Sequence, residues 1–109
     1  MKVVRADWFD ADLDRQFEWY VTNADVSTAD RFFTAVGRTI EFLAVNPEAG
    51  PTRRFAHPEL QGLRFLPLMG KFSRFLIFYR VGEDLIAERL LHGYRDLARR
   101  ILNPPGAED

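Results

Sequence analysis

The sequence predicts an α+β domain: an N-terminal helical hairpin packed on a small, mainly antiparallel sheet of three to four strands, with a short C-terminal helix. Three observations predict it. Through residues 7–46 apolar side chains recur at three- and four-residue spacing, the mark of a helix face. After Gly50 that period disappears, and short runs rich in Phe, Leu, Ile and Val follow, separated by glycine turns. The last of these runs ends at Gly93 and gives way to DLARRI, which reads as a short basic helix.

Each element has its own justification. KVVRA reads as a short first strand. From Asp7 onward Phe9, Leu13, Phe17, Tyr20 and Ala24 share one helix face, while Asp7, Asp10, Asp12 and Asp14 crowd the first two turns, where the helix dipole favours negative charge. TNADV breaks the pattern. Ser27 with Asp30 three residues on resembles a capping box, with Asp in place of Glu, and starts a second helix. That helix turns Ala29, Phe32 or Phe33, Val36, Ile40 and Leu43 inward, and NPEAGP stops it.

TRRFAHPELQG reads as a polar connector. LRFLPL is strand-like, but Pro67 has no N–H for a ladder, so its strand is an edge or carries a bulge. GK makes a turn. RFLIFYRV, residues 74–81, is apolar on both faces, as a covered central strand is. GED is a tight hairpin turn, LIAERLLH at 85–92 the last strand, and DLARRI the terminal helix. Residues 1–102 read as a single domain and 103–109, NPPGAED, as a flexible tail.

Composition narrows the function classes. With 109 residues, 47% apolar and 28% charged, the chain has the make-up of one globular domain with a modest core. Ten Phe, three Tyr and two Trp point to a core built on rings. The absence of cysteine excludes disulfides, thiolate zinc sites and a cysteine nucleophile. No apolar run approaches the roughly 20 residues that cross a bilayer. MKVVRADWFD reaches acidic residues too early for a signal peptide, so a cytoplasmic protein is expected. Residues 1–50 carry five basic and nine acidic side chains and residues 51–109 ten and seven, so an anionic partner is expected at the C-terminal half.

The stretch LLHGYRDLARRI at 90–101 holds the most chemistry. His92, Tyr94, Arg95 and Arg74 are acid–base and phosphate-clamping residue types, the set that RNA cleavage needs. The plainer alternative is a strand-end histidine with an Arg95–Asp96 salt bridge. The two histidines, His57 and His92, have no metal-binding spacing, and neither a metal nor a cofactor is expected. Asp10, Asp12 and Asp14 lack the glycine and closing glutamate of a calcium loop and read as a solvated helix face. The strand that holds Pro67 is an incompletely protected edge beside apolar helices, a template on which another chain adds a strand or helix. From the residues alone, the chain is an interaction module.

NPEAG after the second helix, G-x-R at Gly62–Arg64, IFYRV at 77–81 and RLLHGYRD at 89–96, in this order and spacing, resemble the RelE/ParE superfamily of bacterial toxin–antitoxin systems, closest to its ParE branch. The resemblance covers nearly the whole chain. It implies that superfamily's fold, the toxin role in a two-gene type II module, and a small DNA-binding, ParD-like antitoxin that wraps its C-terminal segment around the toxin in a hetero-oligomer. ParE-like members are associated with poisoning of DNA gyrase, RelE-like members with cleavage of messenger RNA on the ribosome.

Residues separate the branches. The ribonuclease branch places an arginine three residues before the tyrosine of its middle strand; counted back from Tyr79, that position is Leu76. Its basic pair on the preceding strand corresponds to Arg64 and Leu66, and its C-terminal tyrosine falls in LARRI, which has none; Arg95 does match its last-strand arginine. An aliphatic side chain neither neutralises a phosphate nor moves a proton. The resemblance therefore implies a gyrase inhibitor acting by binding, with no catalytic residue. A ribosome-dependent endoribonuclease, or a non-toxic binding module on the same fold, is the alternative. His92, Tyr94, Arg95, Arg99 and Arg100 are the candidate target contacts, and Trp8, Trp19, Phe32, Arg64 and Arg74 the candidate antitoxin contacts. Trp8, Trp19 and Phe32 are chosen as lying off the main inward stripe.

Overall fold

The computed structural model describes residues 1–107 and has the expected layout of two helices on a sheet, with a short helix at the end. Strand β1 (Val3–Arg5) leads into helix α1 (Asp7–Asn23) and helix α2 (Val26–Val45). A connector with a 3-10 turn at Pro58–Leu60 reaches β2 (Arg64–Pro67), and β3 (Phe75–Val81), β4 (Leu85–His92) and helix α3 (Leu97–Leu102) follow. The sheet order is β1-β4-β3-β2. β1 runs parallel to β4 and the other pairs are antiparallel, so the sheet is mixed. Of the tail expected from 103, Glu108 and Asp109 lie outside the described residues.

RFLIFYRV reads as apolar on both faces because the sheet separates two cores. Phe75, Ile77 and Tyr79 of β3, with Leu85, Ala87 and Leu90 of β4, meet Phe9, Leu13, Phe32, Val36 and Leu43 of the hairpin. Leu76, Phe78 and Leu91 meet Phe55, Leu60 and Leu63 of the connector together with Leu97 and Ile101 of α3. The stretch TRRFAHPELQG is thus not simply polar: its Phe55 and Leu60, with Leu63 just after it, lid the second face of the sheet. Rings do fill the first core, as Phe32 lies 4.9 Å from Phe75, 5.4 Å from Phe72 and 5.3 Å from Tyr20, centroid to centroid. Packing the half-buried Tyr20 and Phe72 rings around the buried Phe32 and Phe75 makes the hairpin–sheet contact a main source of stability.

The start of α2 corrects the expected capping box. Asp25, not Ser27, is the N-cap, and its Oδ1 accepts from the Thr28 N–H at 2.6 Å; Ser27 lies inside the first turn. The hydrogen bonds from Thr28 hold the Asp25 carboxyl below its ordinary value of 3.8. A lowered folded-state pKa means the cap stabilises α2 above the unfolded value and loses that contribution as pH falls through the folded one. The protection of the Thr28 amide, its exchange rate relative to the intrinsic rate at the same pH, is therefore expected to fall only once pH drops below about 3.8, and an equal loss of protection in Asp25→Ala at neutral pH would confirm the source.

Pro67 lies on an edge strand, as expected, but that edge is covered along much of its length. The Phe65 N–H donates to Pro51 O at 3.1 Å, the Arg53 N–H donates to Leu63 O at 3.2 Å, and Thr52 bridges Arg64. With Pro67 offering no N–H, the edge gives an incoming strand few donors. The expectation of an open template there is corrected.

Candidate functional site

The C-terminal candidates are placed by one buried ion pair between α1 and β4. Because β1 ends at Arg5, opposite Ala87, the β4 backbone beyond that point has β3 on one side and no strand on the other. Asp12 of α1 takes the strand's place: its Oδ2 accepts from the Leu90 N–H at 2.9 Å. The same carboxylate receives a two-pronged contact from Arg89, Nε at 2.8 Å and Nη2 at 3.0 Å. The third nitrogen, Nη1, donates to the carbonyls of Arg100 at 2.5 Å, Ile101 at 2.9 Å and Asn103 at 2.7 Å. Those carbonyls end α3, where a helix leaves acceptors without partners and its dipole favours a cation.

The Trp8 ring lies 5.3 Å from the Arg89 guanidinium carbon, and the two ionic side chains are only 4% and 7% exposed. One guanidinium thus ties together α1, β4 and α3. A β-bulge sets it up, since Phe78 faces Arg89 while Tyr79 faces Ala87, leaving Glu88 as the extra residue. Asp12 corrects the reading of a solvated helix face. The signal was present, for Asp12 follows Phe9 by three residues and precedes Leu13, both in the core.

Beyond this anchor the expected surface takes shape. Gly93, at φ 82°, turns the chain, and its N–H donates to Arg74 O at 2.8 Å. Tyr94 is 54% exposed and Arg95 beside it is also exposed. The expected Arg95–Asp96 bridge is replaced by Asp96 with Arg99, at 3.4 Å. Arg100 Nη1 donates to Arg95 O at 3.2 Å. His92 stands exposed at the end of β4 with its ring edge-on to Phe75, 4.8 Å between centroids.

A groove of about 190 Å³ between α1, the end of β4 and α3 brings His92 and Arg100 together with Arg15, Gln16 and Trp19. Trp19, expected among the antitoxin contacts, therefore sits with two of the expected target contacts. Arg15 and Gln16 were not singled out in the sequence. Their spacing to Trp19 on α1, four and three residues, is the signal that finds them.

The remaining candidates lie apart. Trp8 borders a separate cavity of about 380 Å³ with Leu60, Leu63, Arg80 and Ile101. Arg64 Nη1 donates to Gly50 O at 2.7 Å and Glu48 O at 3.3 Å, bracing the NPEAG loop. Arg74 is exposed at the start of β3. Phe32 is corrected: it has no exposed surface and belongs to the first core, whereas its neighbour Phe33 is 45% exposed.

Leu76, the middle-strand position that separates the branches, and Tyr79, from which it is counted, are both buried. Leu76 has no exposed surface and sits opposite Pro67 and Leu91 in the sheet. The Tyr79 hydroxyl accepts from the Gly50 N–H at 2.8 Å, and burial pushes its pKa above the ordinary 10.0 more than that amide draws it back. Among the described residues no group of three or more His, Cys, Asp or Glu is arranged to hold a metal. Among the described residues no helix is long and apolar enough to cross a membrane.

Residues 3–97 match the family model described as ParE toxin of type II toxin-antitoxin system, parDE. The chain belongs to the ParE toxin family. No curated protein matches it. Among solved structures, a chain of the chromosomal ParDE toxin–antitoxin system from P. aeruginosa is similar, with a TM-score of 0.70 and 22% identity, covering 86% of this chain and 97% of that one. Two features of this ParE-family chain now account for pieces of its sequence signature. NPEAG places Gly50 against the Tyr79 hydroxyl of IFYRV, and RLLHGYRD carries the Arg89 that anchors α3.

Proposed function

We propose that this chain is the toxin of a ParDE-type module, that it arrests growth in the cytoplasm by binding DNA gyrase, and that a small DNA-binding antitoxin neutralises it in a hetero-oligomer. The family match over residues 3–97 carries the reading. Two side-chain environments favour binding over ribonuclease chemistry. The Leu76 position lies wholly inside the second core, so it presents no cation to a phosphate. The Tyr79 hydroxyl is engaged by Gly50 inside the fold. Target contact falls to the exposed Tyr94–Arg95 corner with His92, Arg99 and Arg100, because Tyr and Arg are the side chains that dominate interface energetics. Trp19, Trp8, Arg64 and Arg74 remain the proposed antitoxin contacts.

The test is a supercoiling and DNA-cleavage assay with purified gyrase, with and without the antitoxin from the adjacent reading frame. Inhibition or trapped cleaved DNA is expected, relieved by the antitoxin. A Tyr94→Ala/Arg95→Ala double variant is expected to inhibit at least about tenfold less well while melting like the parent. Messenger RNA cut in translating ribosomes, abolished by Arg95→Ala and with gyrase untouched, would instead establish the ribonuclease. Unaffected growth on expression without a partner would establish a non-toxic binding module.

A further inference from the structure

We propose that the cleft between α2 and the turn at Gly70–Phe72 receives an acidic segment of the antitoxin. The segment seats an apolar side chain on Met69 and Phe72 and sets its carboxylates at Arg31, Arg38 and Lys71. The inference rests on the reading of this chain as the toxin of a two-protein module, and adds where and by what chemistry the partner takes hold. The cleft has a volume of about 630 Å³. Arg31 and Arg38 stand two turns apart on one face of α2, and Lys71 borders the same cleft from the turn.

These three side chains are exposed and make the cleft cationic. Arg31 Nη2 donates to Thr28 Oγ1 at 3.1 Å, and its charge also acts on the Asp25 carboxyl. Among the described residues, Arg38 and Lys71 make no ion pair. Arg38 also borders a second groove on the other flank of α2, with Asp30 and Glu41. The acidic side chains of α2 thus lie on one flank and the basic ones on the other, and the basic flank attracts an anionic partner.

The apolar surface between the cations points to a polypeptide. Met69 is 46% exposed, and the half-buried Phe72 ring is fixed 5.4 Å from Phe32 and 5.7 Å from Tyr20, centroid to centroid. A segment carrying both carboxylates and apolar side chains satisfies the cations and covers Met69, whereas a phosphate backbone does only the first. The walls are held at a fixed spacing. The Met69 N–H donates to Thr39 Oγ1 at 3.0 Å, and this buried hydroxyl donates to Ala35 O at 2.7 Å. A cleft tied together in this way loses little freedom when it is filled.

Its position favours the antitoxin as the occupant. Three residues after Lys71, Arg74 O accepts from the Gly93 N–H at 2.8 Å, next to the exposed Tyr94 and Arg95. Three residues span at most roughly 10 Å. A segment that leaves the cleft past Lys71 therefore passes Arg74 and reaches the corner proposed for target contact. Neutralisation then follows from covering that corner.

The test is calorimetric titration of the full chain with the antitoxin from the adjacent reading frame, at low and at moderate salt. Arg38→Glu and Lys71→Glu are each expected to weaken binding about tenfold, and added salt to weaken the parent more than either variant. Met69→Ser is expected to weaken it severalfold, and Arg54→Glu, outside the cleft, to change it less than about twofold. All four side chains are at least half-exposed or lie in no core cluster, so the variants are expected to melt with the parent. Exchanging acidic residues of the antitoxin for lysine, one at a time, is expected to yield a variant that binds Lys71→Glu better than it binds the parent.

If the antitoxin binds the parent and every variant equally, this placement is wrong and the toxin–antitoxin reading stands. If it does not bind the parent, that reading falls and the placement with it. A single-stranded oligonucleotide that binds more tightly than the antitoxin and is lost in Arg38→Glu would assign the cleft to nucleic acid and overturn the proposal.

Discussion

Arg89→Ala is expected to lose about 3–5 kcal/mol of stability, because it leaves a buried carboxylate without its partner. A domain of this size has on the order of 5–15 kcal/mol in all, so the variant is expected to be marginal at 25 °C. The loss extends beyond the ion pair. Asp12 keeps the Leu90 N–H but loses its two-pronged guanidinium, and the carbonyls of Arg100, Ile101 and Asn103 lose their donor together. α3, six residues long, then has little to hold its C-terminal end.

Substituting both partners with apolar residues often rescues a buried pair, but rescue is expected to be incomplete here. An Asp12→Leu/Arg89→Met double variant still strands the Leu90 N–H and the α3 carbonyls, at about 1–3 kcal/mol for each buried group left unpaired. Urea unfolding of the parent, both single variants and the double variant measures these terms. A loss below about 1 kcal/mol for Arg89→Ala would remove the pair from its structural role.

Gly50→Ala is the second large effect expected, at about 3 kcal/mol. A Cβ there would stand 2.6 Å from the Tyr79 hydroxyl and 2.9 Å from the Phe65 carbonyl carbon, and closer still to the Phe65 oxygen. The obstacles are β2 backbone and a fully buried ring, neither of which moves cheaply. Tyr79→Phe tests the other side of the same contact. It removes the acceptor from the Gly50 N–H without adding volume, and about 1–3 kcal/mol is expected from that buried donor alone. Thermal unfolding of both variants decides the point: if Gly50→Ala melts with the parent, the loop is free to move away from β2 and the tight contact is not needed for the fold.

Much of the fold was legible along the chain because helix and strand periods are local. The end of the hairpin, the covered central strand, the last strand and the terminal helix all rest on patterns within some twenty residues. Misreadings came where a single residue's phase or a distant partner decided. Phe32 and Phe33 are adjacent, and one step along a helix rotates a side chain by about 100°, enough to exchange core for solvent. Ser27–Asp30 fits a capping box in letters, yet the chain enters α2 two residues earlier, at Asp25. The connector reads as polar by composition, while two of its apolar side chains, Phe55 and Leu60, close the second core beside Leu63.

The family signature was legible, but its physical content was not. Asp12 and Arg89 are separated by 77 positions, and Gly50 and Tyr79 by 29. No local pattern marks such pairs, since charge and ring alone do not reveal which group lies opposite. The same holds for the groove, where Trp19 joins His92 and Arg100 only because β4 ends beside α1.

What the sequence determined by itself was the order of elements, the edge position of Pro67, the ring-rich core and the absence of a cation at Leu76, all properties of short-range pattern and residue type. Tertiary structure alone decided which acid was buried, which loop covered the edge and which surface residues became neighbours. The physical reason is that burial and pairing depend on what comes to lie across the sheet, and one bulge at Glu88 was enough to set where Arg89 reaches.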